Sequence, residues 1–91
     1  MPAYVQGLAY ELAPLIRVNA VAPTFMGTAT SFWRDLPANE LEQTQAGFAE
    51  LVPLRRLGTP EQLASAYIHL ITNNFITGQV LPVDGGVMLS K

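Results

Sequence analysis

Two segments of this 91-residue chain read as β-strands, and they lie far apart in it. Residues 15–22, LIRVNAVA, are apolar and β-branched with few interruptions, which suits a strand covered on both faces, and Pro23 ends them. Residues 79–84, QVLPVD, form the second; Pro82 removes a ladder donor there and places this strand at a sheet edge. The helical patterns between them make the connection a crossover, so the strands are parallel and the chain holds one βαβ unit. Two parallel strands do not make a stable sheet, because the first keeps one whole edge unpaired. The fold class is therefore α/β, with a sheet whose missing strands come from elsewhere.

The helices follow from local signals. In residues 2–13, PAYVQGLAYELA, Val5, Leu8, Ala9 and Leu12 make one stripe, and Pro14 stops it. No capping residue precedes this stripe, so the helix reads as truncated at its start. Gly7 inside it implies either a close neighbour that needs the missing side chain or a weak helix. Asn39 followed by Glu42 has the spacing of a capping box and opens a looser helix reaching about Val52. Thr59-Pro60-Glu61-Gln62 is a stronger start, with Thr as cap, Pro at the first helical position and Gln three residues on. That helix should reach about Thr72, with Leu63, Tyr67, Leu70 and Ile71 on its apolar face and Gln62, Ser65 and His69 opposite. Asp84-Gly85-Gly86 turns the chain out of the sheet.

Composition narrows the function classes. With no cysteine and one histidine, a disulfide framework, a thiolate metal site and a multi-His site are all excluded. Five cations against seven anions, without clusters, leave no footprint for nucleic acid or anionic lipid. No apolar run spans a bilayer, and Met1-Pro2-Ala3-Tyr4 does not open like a signal peptide, so the expected location is the cytoplasm. Charged residues are 13% of the chain, about half the usual share of ~25%, which is too little for an ordinary surface. Folding a chain of 9.9 kDa into an ideal globule would hide ~9,200 Å². Its apolar part contributes about 140 kcal/mol, and ordering 91 residues at ~1.5 kcal/mol each costs about the same. A lone compact domain would be marginal, so the chain is expected to be part of something larger.

Three stretches in order, AYELAPLIRVNAVAPTFMGT, VPLRRLGTPEQLASA and ITGQVLPVDGG, resemble the C-terminal third of a short-chain dehydrogenase/reductase and cover nearly the whole chain. The resemblance implies a single partial domain over residues 1–91, the C-terminal portion of a Rossmann-like doubly wound parallel sheet, with residues 24–52 as substrate-binding loop or lid. It implies that residues 2–13 are the rear of the catalytic helix, 15–22 the sixth strand, 59–72 the last long helix and 79–84 the seventh, edge strand. It also implies NAD or NADP as the cofactor of the complete fold, with an alcohol or carbonyl compound as substrate. Pro23 and Thr24 match a Pro-Gly turn that lies against the nicotinamide, Phe25 follows it, and Thr28 matches a Thr that reaches the cofactor's phosphates or carboxamide. Thr24 stands where the family usually has Gly, so a positive φ there would be strained.

The parts that carry the family's chemistry have no match. The seven glycines fit neither spacing of a dinucleotide-binding loop. Tyr4, Tyr10 and Tyr67 are followed four residues later by Leu8, Pro14 and Ile71, so no Tyr-x-x-x-Lys pair exists, and the one lysine is Lys91. The expectation is that the chain begins just after the chemistry ends, with no catalytic residue, no metal ligand and no tight cofactor binding of its own. Met26, Phe32 and Trp33, with Phe25, either line an apolar substrate pocket or pack the lid onto the sheet. His69 reads as a solvated helix residue, Arg55-Arg56 as a solvated pair and Asp84 as a turn stabiliser, each against a functional alternative. Ser31, Ser65 and Ser90 lack a nucleophile-elbow context. Two readings stay open. One is the C-terminal segment of an NAD(P)-dependent oxidoreductase, inactive alone. The other is a non-enzymatic assembly module, or a gene remnant, that associates as a homo-oligomer or with a complete homologue.

Overall fold

A computed structural model describes residues 2–24, 26–27 and 35–89. The order of elements is α1 (Pro2–Leu12), β1 (Ala20–Pro23), α2 (Ala38–Glu50), α3 (Pro60–Thr72) and β2 (Val80–Val83). The strands pair in parallel, with Ala20 opposite Val80 and Pro23 opposite Val83. The sheet has these two strands among the described residues. The α/β class, the single βαβ unit and the identity of every element agree with the sequence reading.

The first strand is shorter than expected and set later. Residues 15–22 read as strand, yet only Ala20–Pro23 pairs, and Pro23 lies within the strand instead of ending it ahead of itself. The reason is that Leu15 and Ile16 turn back onto α1: both backbone N–H groups donate to the Leu12 carbonyl at 3.0 Å. Leu15 is 91% exposed, so its apolar character does not report burial within this chain.

Arg17 and Asn19 then do work that no periodicity displays. The Arg17 guanidinium donates to the carbonyls of Leu70 at 2.7 Å, Ile71 at 2.9 Å, Asn73 at 3.1 Å and Ile76 at 3.3 Å. A fixed positive charge thus satisfies carbonyl groups at the C-terminal end of α3, where the helix dipole favours it. Asn19 donates to Ile76 O and accepts from Gln79 N, both at 3.0 Å, and the Thr77 hydroxyl accepts from Val18 N at 3.1 Å. These bonds pin the turn between α3 and β2 to the segment entering β1 and so set the register of the ladder.

The two sequence-read caps part company. Thr59 caps α3 with the full reciprocal box, its hydroxyl accepting from Gln62 N at 3.2 Å while Gln62 Oε1 accepts from Thr59 N at 2.9 Å. The box expected at Asn39 and Glu42 does not form. Pro37 is the cap of α2, no side chain bonds to the helix start there, and Asn39 already lies inside the first turn. Pro37 sets the entry backbone itself, with φ −57°, which leaves Asn39 no role as a cap.

The buried apolar residues among those described are Val5, Ala9, Val52 and Leu70. Of the stripe expected on α1, Val5 and Ala9 are buried and Leu8 half-buried, while Leu12 is exposed; Ala9 lies against Gly78. Of the face expected on α3, Leu70 is buried and Leu63 half-buried, but Tyr67 and Ile71 are exposed, because nothing among the described residues covers them. A Cβ at Gly7 would meet nothing within 4 Å, so no close neighbour among the described residues requires the missing side chain. No described helix is long and apolar enough to cross a membrane.

Candidate functional site

In a parallel sheet the carboxyl ends of the strands open onto the loops, and ligands gather there. Here those ends are Pro23-Thr24 and Val83-Asp84, joined where Thr24 N donates to Val83 O at 3.1 Å. Beyond them the chain comes back twice. Met26 pairs with Gly58 in an isolated parallel bridge, and Gly27 N donates to Gly58 O at 2.8 Å. A cavity of about 530 Å³ opens among these segments, with Thr24 on one wall, Arg56 and Gln62 on another, and Val52, Leu54 and Leu89 as apolar lining.

The floor of the cavity is built by close packing of backbone on side chain. Val52 is 1% exposed and lies under the turn at Asp84-Gly85-Gly86. Gly85 has φ +60°, and a Cβ there would fall 2.4 Å from Val52 Cγ1, so both conformation and space require glycine. Asp84 holds the turn by accepting from Gly86 N at 3.0 Å, and Gly85 O accepts from Leu54 N at 3.1 Å. Asp84 is therefore the turn stabiliser that its place before two glycines suggests. Arg55 donates through its guanidinium to Glu50 O and through its N–H to Val52 O, and alone among the described non-glycine residues it has a positive φ. Arg56 is exposed at the cavity wall.

Of the residues singled out from the sequence, the structure brings Thr24 to the cavity, with Pro23 exposed beside it and Met26 half-buried against Gly58. Thr24 does not have the positive φ that would strain it, so the replacement of the expected glycine is accommodated in ordinary backbone. Phe25, Thr28, Phe32 and Trp33 lie outside the described residues. His69 is exposed, as a solvated helix residue should be. Sequence reasoning singled out Arg56 only as one of a solvated pair and missed the Val52-to-Leu54 wall, because the cavity joins positions far apart in the chain. It also missed Arg17, although a signal existed: no other charge stands between Glu11 and Arg34.

Comparison with known proteins agrees with this geometry. A family model described as enoyl-(acyl carrier protein) reductase matches residues 1–88. The chain is 38% identical over 87 residues to the 3-oxoacyl-acyl-carrier-protein reductase of Aquifex aeolicus, which covers 92% of this chain and 33% of that protein. It is 39% identical over 87 residues to carbonyl reductase family member 4 of Xenopus laevis, over 94% of this chain and 33% of that one. Among solved structures it matches a small-chain dehydrogenase in complex with NADPH at a TM-score of 0.82 and 34% identity, over 98% of this chain and 39% of the other. Ligand-free aldohexose dehydrogenase of Thermoplasma acidophilum matches at a TM-score of 0.80 and 29% identity, over 99% of this chain and 40% of the other. The chain thus spans about one third of the length of the curated relatives it matches.

Proposed function

The chain belongs to the short-chain dehydrogenase/reductase family, and on that premise we propose that it supplies the nicotinamide-side floor and the substrate loop of an NAD(P)-dependent alcohol or carbonyl oxidoreduction, without turning over alone. The observation that carries this reading is the cavity at the carboxyl ends of the strands, bordered by Thr24, in a chain with no Tyr-x-x-x-Lys pair and no glycine loop.

The residues present fit one end of a dinucleotide. Pro23 and Thr24 are exposed at the end of β1, where a flat ring can lie against backbone and a hydroxyl can meet a carboxamide. At the start of α3 the capping box already engages Thr59 N and Gln62 N, so among the described residues that helix start does not offer these groups to a pyrophosphate. The cofactor, when bound to a complete fold, supplies hydride transfer. What this chain contributes is orientation: Thr24 and Phe25 with Thr28 toward the cofactor, and Met26, Phe32 and Trp33 toward the substrate. The acid/base phenol and its neighbouring ammonium must come from other residues. Absence of cysteine supports a cytoplasmic site of action.

The test combines the 91-residue chain with the N-terminal two thirds of the Aquifex relative and follows NADPH oxidation with a ketone. Turnover is expected for the mixture and not for either part. NADPH-dependent turnover by the 91-residue chain alone would overturn the reading, as would a mixture that associates yet stays silent.

A second reading, that the chain is an assembly module, is supported by its exposed apolar residues. Phe75 is 97% exposed, and Tyr10, Leu15, Ile71 and Met88 are all exposed as well. On this reading it associates with itself or with a complete homologue, and a folded monomer that binds neither would count against it.

A further inference from the structure

Two glycines clasp the segment leaving β1 to the start of α3. Met26 bridges to Gly58, and Gly27 N donates to Gly58 O at 2.8 Å. Gly58 is itself held in place, because it directly precedes Thr59, whose N–H and hydroxyl are both engaged in the capping box. The two glycines answer to different neighbours. A Cβ on Gly27 would lie 3.3 Å from Leu57 Cβ and 3.5 Å from Gly58 O, atoms that move only with the backbone. A Cβ on Gly58 would lie 2.7 Å from Met26 Sδ and 2.9 Å from Met26 Cε, the far end of an unbranched, flexible side chain.

Gly58 has no conformational need to be glycine, since its φ is not positive. Space is what requires it, and the thioether of Met26 is what takes the space. Gly58 also borders the cavity at the carboxyl ends of the strands, together with the apolar Val52, Leu54 and Leu89. Bare backbone at this point gives the half-buried Met26 a seat at the margin of that cavity.

We propose that Gly58 determines substrate size: it seats the Met26 thioether beside the cavity, and a side chain at position 58 turns that thioether into the space an apolar substrate body would take. The inference rests on the reading of the chain as the substrate side of an oxidoreductase, and it adds a positioning residue that acts through Met26. With the thioether seated, the apolar lining admits a ketone with an extended hydrocarbon body. With it displaced, a small ketone still fits and a long one does not.

Two measurements separate the seat from the reading it rests on. In the 91-residue chain labelled with carbon-13 at its methionine methyl groups, the signal lost in Met26→Ala belongs to Met26. That methyl should show a nuclear Overhauser contact to the Gly58 α-protons, and Gly58→Ala should move its signal while circular dichroism stays unchanged. A Met26 methyl without that contact, or one whose signal stays in place in Gly58→Ala, would overturn the proposal. The second measurement uses the mixture with the N-terminal two thirds of the Aquifex relative. There Gly58→Ala should raise KM for a long-chain methyl ketone about tenfold or more and leave KM for acetone and for NADPH within about twofold, since one methylene-sized group in an apolar pocket is worth that much discrimination. Adding Met26→Ala to Gly58→Ala should bring the long-chain KM back down. Equal changes for both ketones and NADPH, or no recovery in the double variant, would overturn the proposal and leave the oxidoreductase reading intact. Silence of the unmodified mixture would overturn that reading, and the size selection with it, whatever the methyl signal shows.

Discussion

At the scale of single residues, one guanidinium ties the first half of the molecule to the second. Arg17 binds carbonyls at the end of α3 and in the turn beyond it, and the turn leads directly into β2. Hydrogen bonds from a charged donor contribute about 1.5–3 kcal/mol each when intact, but most of these are exposed, so Arg17→Ala is expected to cost about 1–3 kcal/mol in all. Urea unfolding followed by circular dichroism measures it, and Arg17→Lys should recover only part of the loss, because an ammonium lacks the planar fork. Gly85 is the opposite case, a residue defined by the side chain it lacks. Gly85→Ala adds a Cβ against Val52 at a positive φ, and about 2–4 kcal/mol of destabilisation is expected from strain and overpacking together. Gly7→Ala meets nothing and should instead stabilise α1 by up to about 1 kcal/mol. A comparable loss at both glycines would refute the packing assigned to the Asp84 turn.

At the scale of elements, what can be read from sequence is what a few neighbouring residues decide. The start of α3 is written in Thr59, Pro60 and Gln62, and the structure forms that cap as the spacing requires. The start of α2 carries the same spacing at Asn39 and Glu42 but follows Pro37, whose fixed φ moves the helix start ahead of the would-be cap. Thr59→Ala should therefore cost about 0.5–2 kcal/mol, while Asn39→Ala should leave the unfolding midpoint within error. Equal effects would mean that the two helix starts are not distinct. The boundary of β1 was not legible for a different reason. Leu15 and Ile16 are as apolar as a strand core, yet both are exposed, so their apolarity reports neither strand pairing nor burial among the described residues. The cavity was illegible by construction, because its walls meet only after the crossover brings the ends of β1 and β2 together.

At the scale of the whole molecule, the sum of these parts falls short of a closed globule. The radius of gyration is 16.0 Å, against about 12 Å for a compact domain of this length. A chain that keeps so much apolar surface in water gains stability from whatever covers it, and association linked to folding makes stability depend on concentration. Each tenfold rise in chain concentration adds about 1.4 kcal/mol per mole of dimer, or about 0.7 kcal/mol per chain, when folding and pairing are coupled. The thermal midpoint of the 91-residue chain should therefore climb with dilution reversed, from low to high concentration, in circular dichroism melts. A midpoint independent of concentration in the unmodified chain would mean that the exposed apolar surface is tolerated without a partner.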